Sequence, residues 1–234
     1  LDQLAAAHML PIDGWHQTVR DATAADVHLA LGNWSEAAKA ADQGWAATCT
    51  TSALWAARFA MFGVAAEVEQ ALDQRARREP VDVDATITRL GQRIAGARSF
   101  ADGVPGGQQR DSAAHLAHAA ASLTRLTVSD ADAWAEAVAC WGDLGDRWAT
   151  AVALAREAEA AATVGAADRA ASSLRQAHAI AAELDARLKH LLWRVGRGVR
   201  PEMVEYGPLR LNTETYQAQI DGKPLDLTYM EYEL

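Results

Sequence analysis

Cysteine is nearly absent from this 234-residue chain, which contains only Cys49 and Cys140. The two cysteines lie far apart in sequence and outside any metal-ligand spacing, so neither a disulfide framework nor a cysteine-ligated metal site is indicated. We expect two reduced, partly buried thiols in a cytoplasmic protein. A redox pair has no support in the sequence.

Long hydrophobic runs and signal-peptide features are also missing. The longest uncharged stretch, residues 43–57, is interrupted by threonine and serine and is shorter than the roughly 18 apolar residues of a membrane span. The chain starts Leu-Asp-Gln, without a basic region or an apolar core, so we predict no signal peptide. These features predict a protein with no membrane partner.

The common catalytic motifs are missing as well. The chain has no Gly-x-Ser-x-Gly, His-Glu-x-x-His or Cys-x-x-Cys pattern, each of which carries the residues of a known reaction chemistry. We therefore expect a protein that is not an enzyme, with no catalytic residue, no cofactor-binding residue and no metal ligand.

Alanine, by contrast, dominates the composition. Half of the residues are hydrophobic, alanine is by far the commonest of these, and only six prolines are present, so helix is favoured through most of the chain. The net charge of −9 argues against extensive nucleic-acid binding by these residues. The charge is uneven, because residues 201–234 contain seven acidic and two basic side chains.

Residues 148–184 are predicted to form two helices folded back on each other around Gly165. Small apolar residues recur at steps of three and four, which places them on one stripe of each helix. The stripes are Ala151, Leu154, Ala158 and Ala161 on the first helix, and Ala170, Leu174, Ala177, Ala181 and Leu184 on the second. Such a pair cannot bury both faces alone and needs stacked neighbours. Gly32 is followed by a similar spacing, which indicates a helical repeat.

The same patterns predict the other helices and their ends. Ser52, Asp82 or Asp84, and the segment 129–132 are typical N-terminal caps, and Pro80 ends a long helix at about residue 79. The predicted helices span residues 15–31, 34–48, 53–79, 84–101, 108–126, 132–144 and 186–195, besides the two of the hairpin.

From residue 201 the period changes to that of β-strands. Leu209 and Leu211 alternate with polar residues, as do Tyr216, Ala218 and Ile220, and then Leu225 and Leu227. Asp221-Gly222 is a two-residue hairpin turn. Thr228 and Glu231 form a capping box for a helix that continues to Leu234, and the first residue is not methionine, so we expect a piece of a longer protein.

Three patterns offer candidate chemistry, each with a structural alternative. His115 and His118 are three residues apart and could face one metal ion, with Asp111 as the nearest further ligand; the alternative, which we favour, is surface or groove histidines. The glycine-rich segment 103–107 lacks the Lys-Ser/Thr of a phosphate loop and is predicted to be an interhelix loop. Glu157 and Glu159 could act as acid and base, but a solvated helix face is favoured.

The tryptophans and one basic run complete the candidates. We expect tryptophans to fill gaps between alanine-lined helices, and the alternative is that some line a groove that holds a ligand or peptide. These tryptophans are Trp34, Trp45, Trp55, Trp134, Trp141, Trp148 and Trp193.

A run of basic residues lies among the apolar residues Leu188, Leu191, Leu192 and Val195. It is predicted to be a capping helix that suits the helix dipole; the alternative is contact with DNA phosphates. The run consists of Arg187, Lys189, Arg194, Arg197 and Arg200.

Two stretches resemble known families. Residues 130–195, from Ala133-Trp134 through Cys140-Trp141-Gly-Asp-Leu-Gly145 to Leu184, resemble the C-terminal tetratricopeptide-like repeats of large LuxR-type ATP-dependent transcriptional regulators. The resemblance extends more weakly over residues 15–200. Residues 209–234, with Leu-Thr-x-x-Glu-aromatic-x-Leu at positions 227–234, are similar to the opening of the OmpR/PhoB-type winged-helix domain, in which a small antiparallel sheet precedes the first helix.

The resemblances imply a mainly α architecture in two domains. Residues 1–200 would form a tetratricopeptide-like α-solenoid of antiparallel helix pairs, and residues 201–234 an incomplete winged-helix domain. The implied function is the sensor and coupling arm of a bacterial DNA-binding transcriptional regulator, with a protein or small-molecule effector on the repeats. DNA contact and ATP binding would belong to residues outside this sequence, so no cofactor is expected here. The alternative is a tetratricopeptide-type scaffold for protein–protein interaction.

Overall fold

A computed structural model describes residues 14–103, 109–195, 203–206, 209–212 and 217–225. These residues form eight helices followed by four strands, so the prediction of a mainly helical chain with a short antiparallel sheet is confirmed. The helices are α1 Gly14–Ala30, α2 Trp34–Thr48, α3 Ala53–Ala76, α4 Val83–Asp102, α5 Gln109–Thr124, α6 Ala131–Leu144, α7 Arg147–Thr163 and α8 Ala167–Val195. No helix among the described residues is long and apolar enough to cross a membrane.

Most helices begin and end where the sequence signals predict. The carboxylates of Asp82, Asp130 and Asp146 each accept hydrogen bonds from the first backbone amides of α4, α6 and α7, and the hydroxyl of Ser52 does so for α3. Gly165, between α7 and α8, has a φ of +76°, the left-handed conformation that a helix-ending glycine adopts at little cost. The predicted turn at Gly165 is therefore confirmed.

Two predicted helix boundaries are wrong. The helix predicted to run to residue 79 ends at Ala76, because Arg78 adopts a positive φ of 61° before Pro80 is reached. The separate helix predicted for residues 186–195 does not exist, because α8 continues unbroken to Val195. Neither glycine nor proline interrupts it, and the pairs Glu183–Arg187 and Asp185–Lys189 bridge the predicted break at helical spacing.

The chain divides into two compact units, residues 1–181 and residues 182–234. In the first unit α3 is the central helix, because it packs against α1, α2, α4 and α5. Helices α5, α6 and α7 then pack in sequence along the chain. The core between α3, α4 and α5 mixes alanines with a few larger residues, among them Val64, Leu90 and Leu116, and the abundant alanines let the helix axes approach closely.

The alanine stripe of α7 is confirmed, whereas that of α8 is only partly right. Ala151, Leu154, Ala158 and Ala161 are all buried. On α8, Ala177 is buried as predicted, but Leu174 is 57% exposed and Ser173 is buried in its place. The partly buried side chain of Arg169 bonds to α6 and α7 and so helps to set how α8 is rotated about its axis.

The strands of the second unit form an antiparallel meander in the order β1-β2-β3-β4. They are β1 Met203–Tyr206, β2 Leu209–Asn212, β3 Gln217–Ile220 and β4 Lys223–Leu225, of which β1 was not predicted. Asp221 and Gly222 join β3 to β4 with positive φ angles of 49° and 77°, so the predicted hairpin turn is confirmed. Tyr216, Leu227 and the predicted capping box at Thr228 and Glu231 lie outside the described residues.

Gly44 on α2 is a position where packing demands glycine. A Cβ atom added there would overlap the ring of Phe59, which is fully buried on α3. We expect Gly44→Ala to lower the free energy of unfolding by about 2 kcal/mol, because a well-packed interface cannot absorb the extra methyl group without moving the ring. The control is Gly91→Ala on α4, where an added Cβ meets nothing within 4 Å. This control should be stabilising by about 0.5–1 kcal/mol through helix propensity. Urea unfolding of the two variants measures both effects, and equal stabilities would contradict the close approach.

Candidate functional site

Two histidines and two tryptophans meet between α5 and α6. His115 lies edge-to-face against Trp141, with ring centroids 4.8 Å apart, and His118 lies edge-to-face against Trp134 at 5.1 Å. Both tryptophans are buried, and His115 is only 9% exposed. The prediction of surface or groove histidines is therefore wrong for His115, which packs inside the helix interface. We call these four residues the His–Trp cluster.

The hydrogen bonds of the His–Trp cluster assign a different tautomer to each histidine. The Nε1–H of Trp141 donates to Nδ1 of His118 at 3.2 Å, which requires an unprotonated Nδ1. Nδ1 of His115 lies 2.7 Å from the backbone oxygen of Asp111, which can only accept, so this nitrogen is protonated. The lone pair of each histidine is therefore on a different ring nitrogen.

Burial keeps both histidines uncharged at neutral pH. It lowers the pKa of His115 to about 4, opposed by the hydrogen bond to Asp111 and aided by the charge of Arg58. Burial likewise lowers the pKa of His118 to about 4, and the positive charges of Arg156 and Arg125 add to that effect. The cluster therefore acts as an apolar packing unit near pH 7 and would have to open or rearrange to accept protons.

The geometry does not favour the metal-binding alternative for His115 and His118. A metal ion would need the Nδ1 lone pair of His118, which Trp141 already occupies, and a third ligand. Within the described ranges, no group of three or more histidine, cysteine, aspartate or glutamate side chains is placed to hold a metal ion.

Ion pairs join the helices around the His–Trp cluster. Glu69 on α3 accepts from Arg125, just after α5, at 2.6 Å and from Arg156 on α7 at 2.7 Å. Arg156 also pairs with Glu159. Glu69 therefore links three parts of the chain. Because its side chain is only 20% exposed, water screens these ion pairs little. Sequence reasoning missed this network, because residues 69, 125 and 156 have no periodic relation.

Glu157 and Glu159 differ, contrary to the prediction of one solvated face. Glu159 is exposed, but Glu157 is buried and accepts from Nε of Arg169 at 2.8 Å. Arg169 also donates to Asp132 and to the backbone oxygen of Ala131. A buried carboxylate requires such a partner, so the Glu157–Arg169 pair orders the α6–α7–α8 packing and offers no free acid or base.

Replacing Arg169 tests this role. We expect Arg169→Met to lower the free energy of unfolding by about 2 kcal/mol, because Glu157 then stays buried without its partner. The matched control is Arg77→Met, which removes an exposed pair with Asp73 and should change stability by less than about 0.5 kcal/mol. Chemical unfolding of both variants gives the comparison, and equal losses would contradict a structural role for Arg169.

The tryptophans fall into three groups. Trp134 and Trp141 fill helix interfaces as predicted, Trp34, Trp45 and Trp55 are partly buried, and Trp148 is 67% exposed against the prediction. Trp15 is also exposed, at 62%. The side chain of Trp193 lies outside the described residues.

The basic run is partly neutralised where the structure describes it. Arg187 pairs with Glu183 and Lys189 pairs with Asp185, while Leu188 and Leu191 on the predicted apolar stripe are more than half exposed. The side chain of Arg194 and all of Arg197 and Arg200 lie outside the described residues, so the capping and DNA-contact hypotheses both stay predictions.

The glycine-rich segment and the two cysteines are the remaining candidates from the sequence. Residues 104–107 of the glycine-rich segment lie outside the described residues. Cys49 and Cys140 are partly buried and unbonded, as predicted. Burial, aided by Glu136 and Asp143, raises the pKa of the Cys140 thiol, which disfavours the reactive thiolate. An open cleft of about 400 Å³ is lined by Arg110, Ala113, Cys140 and Asp143.

No protein-family model matches this chain, and the searches of curated proteins and of solved structures find no significant similarity either.

Proposed function

We propose that this chain is the sensor and coupling arm of a bacterial DNA-binding transcriptional regulator, in which the helical region binds a protein or small-molecule effector. The observation that carries the proposal is the four-stranded antiparallel meander at residues 203–225. It follows a helical region directly and occupies the place where the winged-helix resemblance calls for a small sheet. The proposal gives the chain a binding role without catalysis.

The packing order of the helices supports a tetratricopeptide-like arrangement for the arm. Helices joined by short turns pack as pairs, as α2 does with α3 and α6 with α7, and alternate helices also touch, as α1 does with α3 and α3 with α5. Contacts of both kinds are expected when helix pairs stack into a superhelix. Such a stack presents the alternate helices α1, α3, α5 and α7 along one surface, where an effector would bind.

The ionic network suggests how binding could be communicated along the arm. Glu69, Arg125 and Arg156 link α3 and the end of α5 to α7, and Arg169 then links α7 and α6 to the start of α8. An effector that prefers one arrangement of these helices would shift the population of the arm. In the proposal, DNA contact belongs to the winged-helix domain that residues 201–234 would open, and ATP binding to an N-terminal domain.

A mobility-shift experiment with the full-length protein tests this function. DNA fragments selected by the full-length protein from a random library are compared for binding by the intact protein and by a variant that lacks residues 14–181, each with and without cell extract as a source of effector. We expect specific DNA binding by both and a response to extract only in the intact protein. Equal binding and equal response in the two proteins would contradict the proposal.

The exposed tryptophans favour the second candidate, a scaffold for protein–protein interaction. Trp15 and Trp148 are each more than 60% exposed, and exposed tryptophan is enriched at protein interfaces. The scaffold has no role for DNA. Absence of any DNA selection by the full-length protein would therefore favour it over the regulator.

A further inference from the structure

Arg58 on α3 lies between two aromatic rings. Its guanidinium carbon is 5.4 Å from the ring centroid of Trp55, one helical turn before it, and 5.5 Å from that of Phe62, one turn after it. Within the part of the chain that the structure describes, no carboxylate lies at ion-pair distance from Arg58. Aromatic rings interact with the faces of a guanidinium, so the N–H donors at its edge stay available.

The other partly buried arginines among the described residues all have a hydrogen-bond acceptor. Each donates to a carboxylate or to a backbone carbonyl, which offsets the cost of removing a cation from water. They are Arg20, Arg93, Arg125, Arg156 and Arg169. Arg58 has no such carboxylate among the described residues, and a bound anion would supply the missing acceptor.

An apolar surface lies beside Arg58. Trp15 on α1 packs edge-to-face against Trp55, with ring centroids 5.7 Å apart, yet its own side chain is 62% exposed. The ring of Phe59 adjoins Trp55 on the other side, 6.0 Å between centroids. An aromatic surface with an exposed indole therefore adjoins a guanidinium with free donors.

We infer that Arg58, Trp55 and Trp15 form a binding site for a small monocarboxylate with a flat apolar body, in which Arg58 holds the carboxylate and Trp15 covers the apolar part. A guanidinium presents two parallel N–H groups that match the two oxygens of one carboxylate. One cation matches a single negative charge, whereas a phosphate dianion would need more. The inference names the effector class of the arm and in that sense rests on the proposed function.

Calorimetric titration of the 234-residue chain tests the site. The probes are phenylacetate, benzoate and hexanoate, with phenylacetamide as the uncharged counterpart of phenylacetate. We expect saturable binding of the aromatic carboxylates, and at least about tenfold weaker binding of phenylacetamide, because a hydrogen bond to a charged group is lost. Hexanoate should bind more weakly than phenylacetate, since it offers no ring to Trp15.

Three variants locate the binding. Arg58→Gln should weaken phenylacetate binding at least about tenfold, and Trp15→Ala should weaken it severalfold while leaving the fold intact, because Trp15 is mostly exposed. Arg98→Gln, at an exposed arginine on α4, is the control and should bind as the unaltered chain does. Circular dichroism verifies folding of each variant.

Failure of all carboxylates to bind the folded chain would overturn the inference, and so would equal binding of phenylacetate and phenylacetamide. Unchanged binding by a folded Trp15→Ala variant would overturn it even if Arg58→Gln did not fold. These outcomes are distinguishable from failure of the proposed function, because the mobility-shift experiment depends on DNA binding and on cell extract and uses none of these probes.

Discussion

Trp134→Ala is expected to lower the free energy of unfolding by about 4 kcal/mol, the typical cost of a large cavity in a helix interface. Trp134 is 1% exposed and packs with alanines of α5, α6 and α7. Its Nε1–H is buried with no hydrogen-bond partner among the described residues, so the substitution removes packing and breaks no hydrogen bond. Most of the buried residues that pack with it are alanines, which are too small to fill the space.

Trp148→Ala provides the matched control for this prediction. It removes the same side chain from a site that is 67% exposed, one helix further along the chain. We expect a change within about 0.5 kcal/mol, as for most surface substitutions. Chemical unfolding followed by circular dichroism gives both values. Similar losses in the two variants would mean that Trp134 is not the packing centre that its burial indicates.

The second large effect is a loss of stability in mild acid. His115 and His118 have a pKa of about 4 in the folded chain, against an ordinary value of 6.5. The unfolded state therefore binds more protons between these two values, so the free energy of unfolding falls as the pH falls through this window. Between pH 6.5 and pH 5 we expect a loss of about 1.5 kcal/mol for each histidine, or about 3 kcal/mol for the pair.

His118→Gln should reduce this dependence on pH. The amide oxygen of glutamine can still accept the hydrogen bond from Trp141 but does not titrate, so the loss between pH 6.5 and pH 5 should fall by about half. His178→Gln, at an exposed position on α8, is the control. Urea unfolding at the two pH values measures the effect. A loss of stability that is the same in His118→Gln would contradict the burial of an uncharged His118.

Local signals were sufficient to predict most of the helices and their ends. The cap at Asp82 and the turn at Gly165 depend on a few neighbouring residues, and the sequence pattern located both. The type I′ turn at Asp221 and Gly222 is equally local, because both residues tolerate positive φ angles. In contrast, the predicted break near residue 185 is wrong, since Asp185 pairs with Lys189 within the helix and starts no new one.

Contacts between side chains that are distant in sequence could not be predicted from the sequence. Glu157 and Glu159 look alike in sequence, and only the approach of Arg169 from α8 makes one of them a buried structural group. The aromatic flanking of Arg58 is visible in the spacing of Trp55 and Phe62 at helical intervals, but the absence of a carboxylate partner is a property of the folded chain. The candidate site therefore could be found only once the helices were in place.

The most direct measurement of the central claim is the affinity of the full-length protein for its selected DNA, by fluorescence anisotropy, as effector is added. We expect extract to change the affinity of the intact protein severalfold and to leave that of the variant without residues 14–181 unchanged. An intact protein that binds no DNA specifically, or whose DNA affinity responds to extract no more than that of the variant, would contradict the proposal that this chain is a sensor arm.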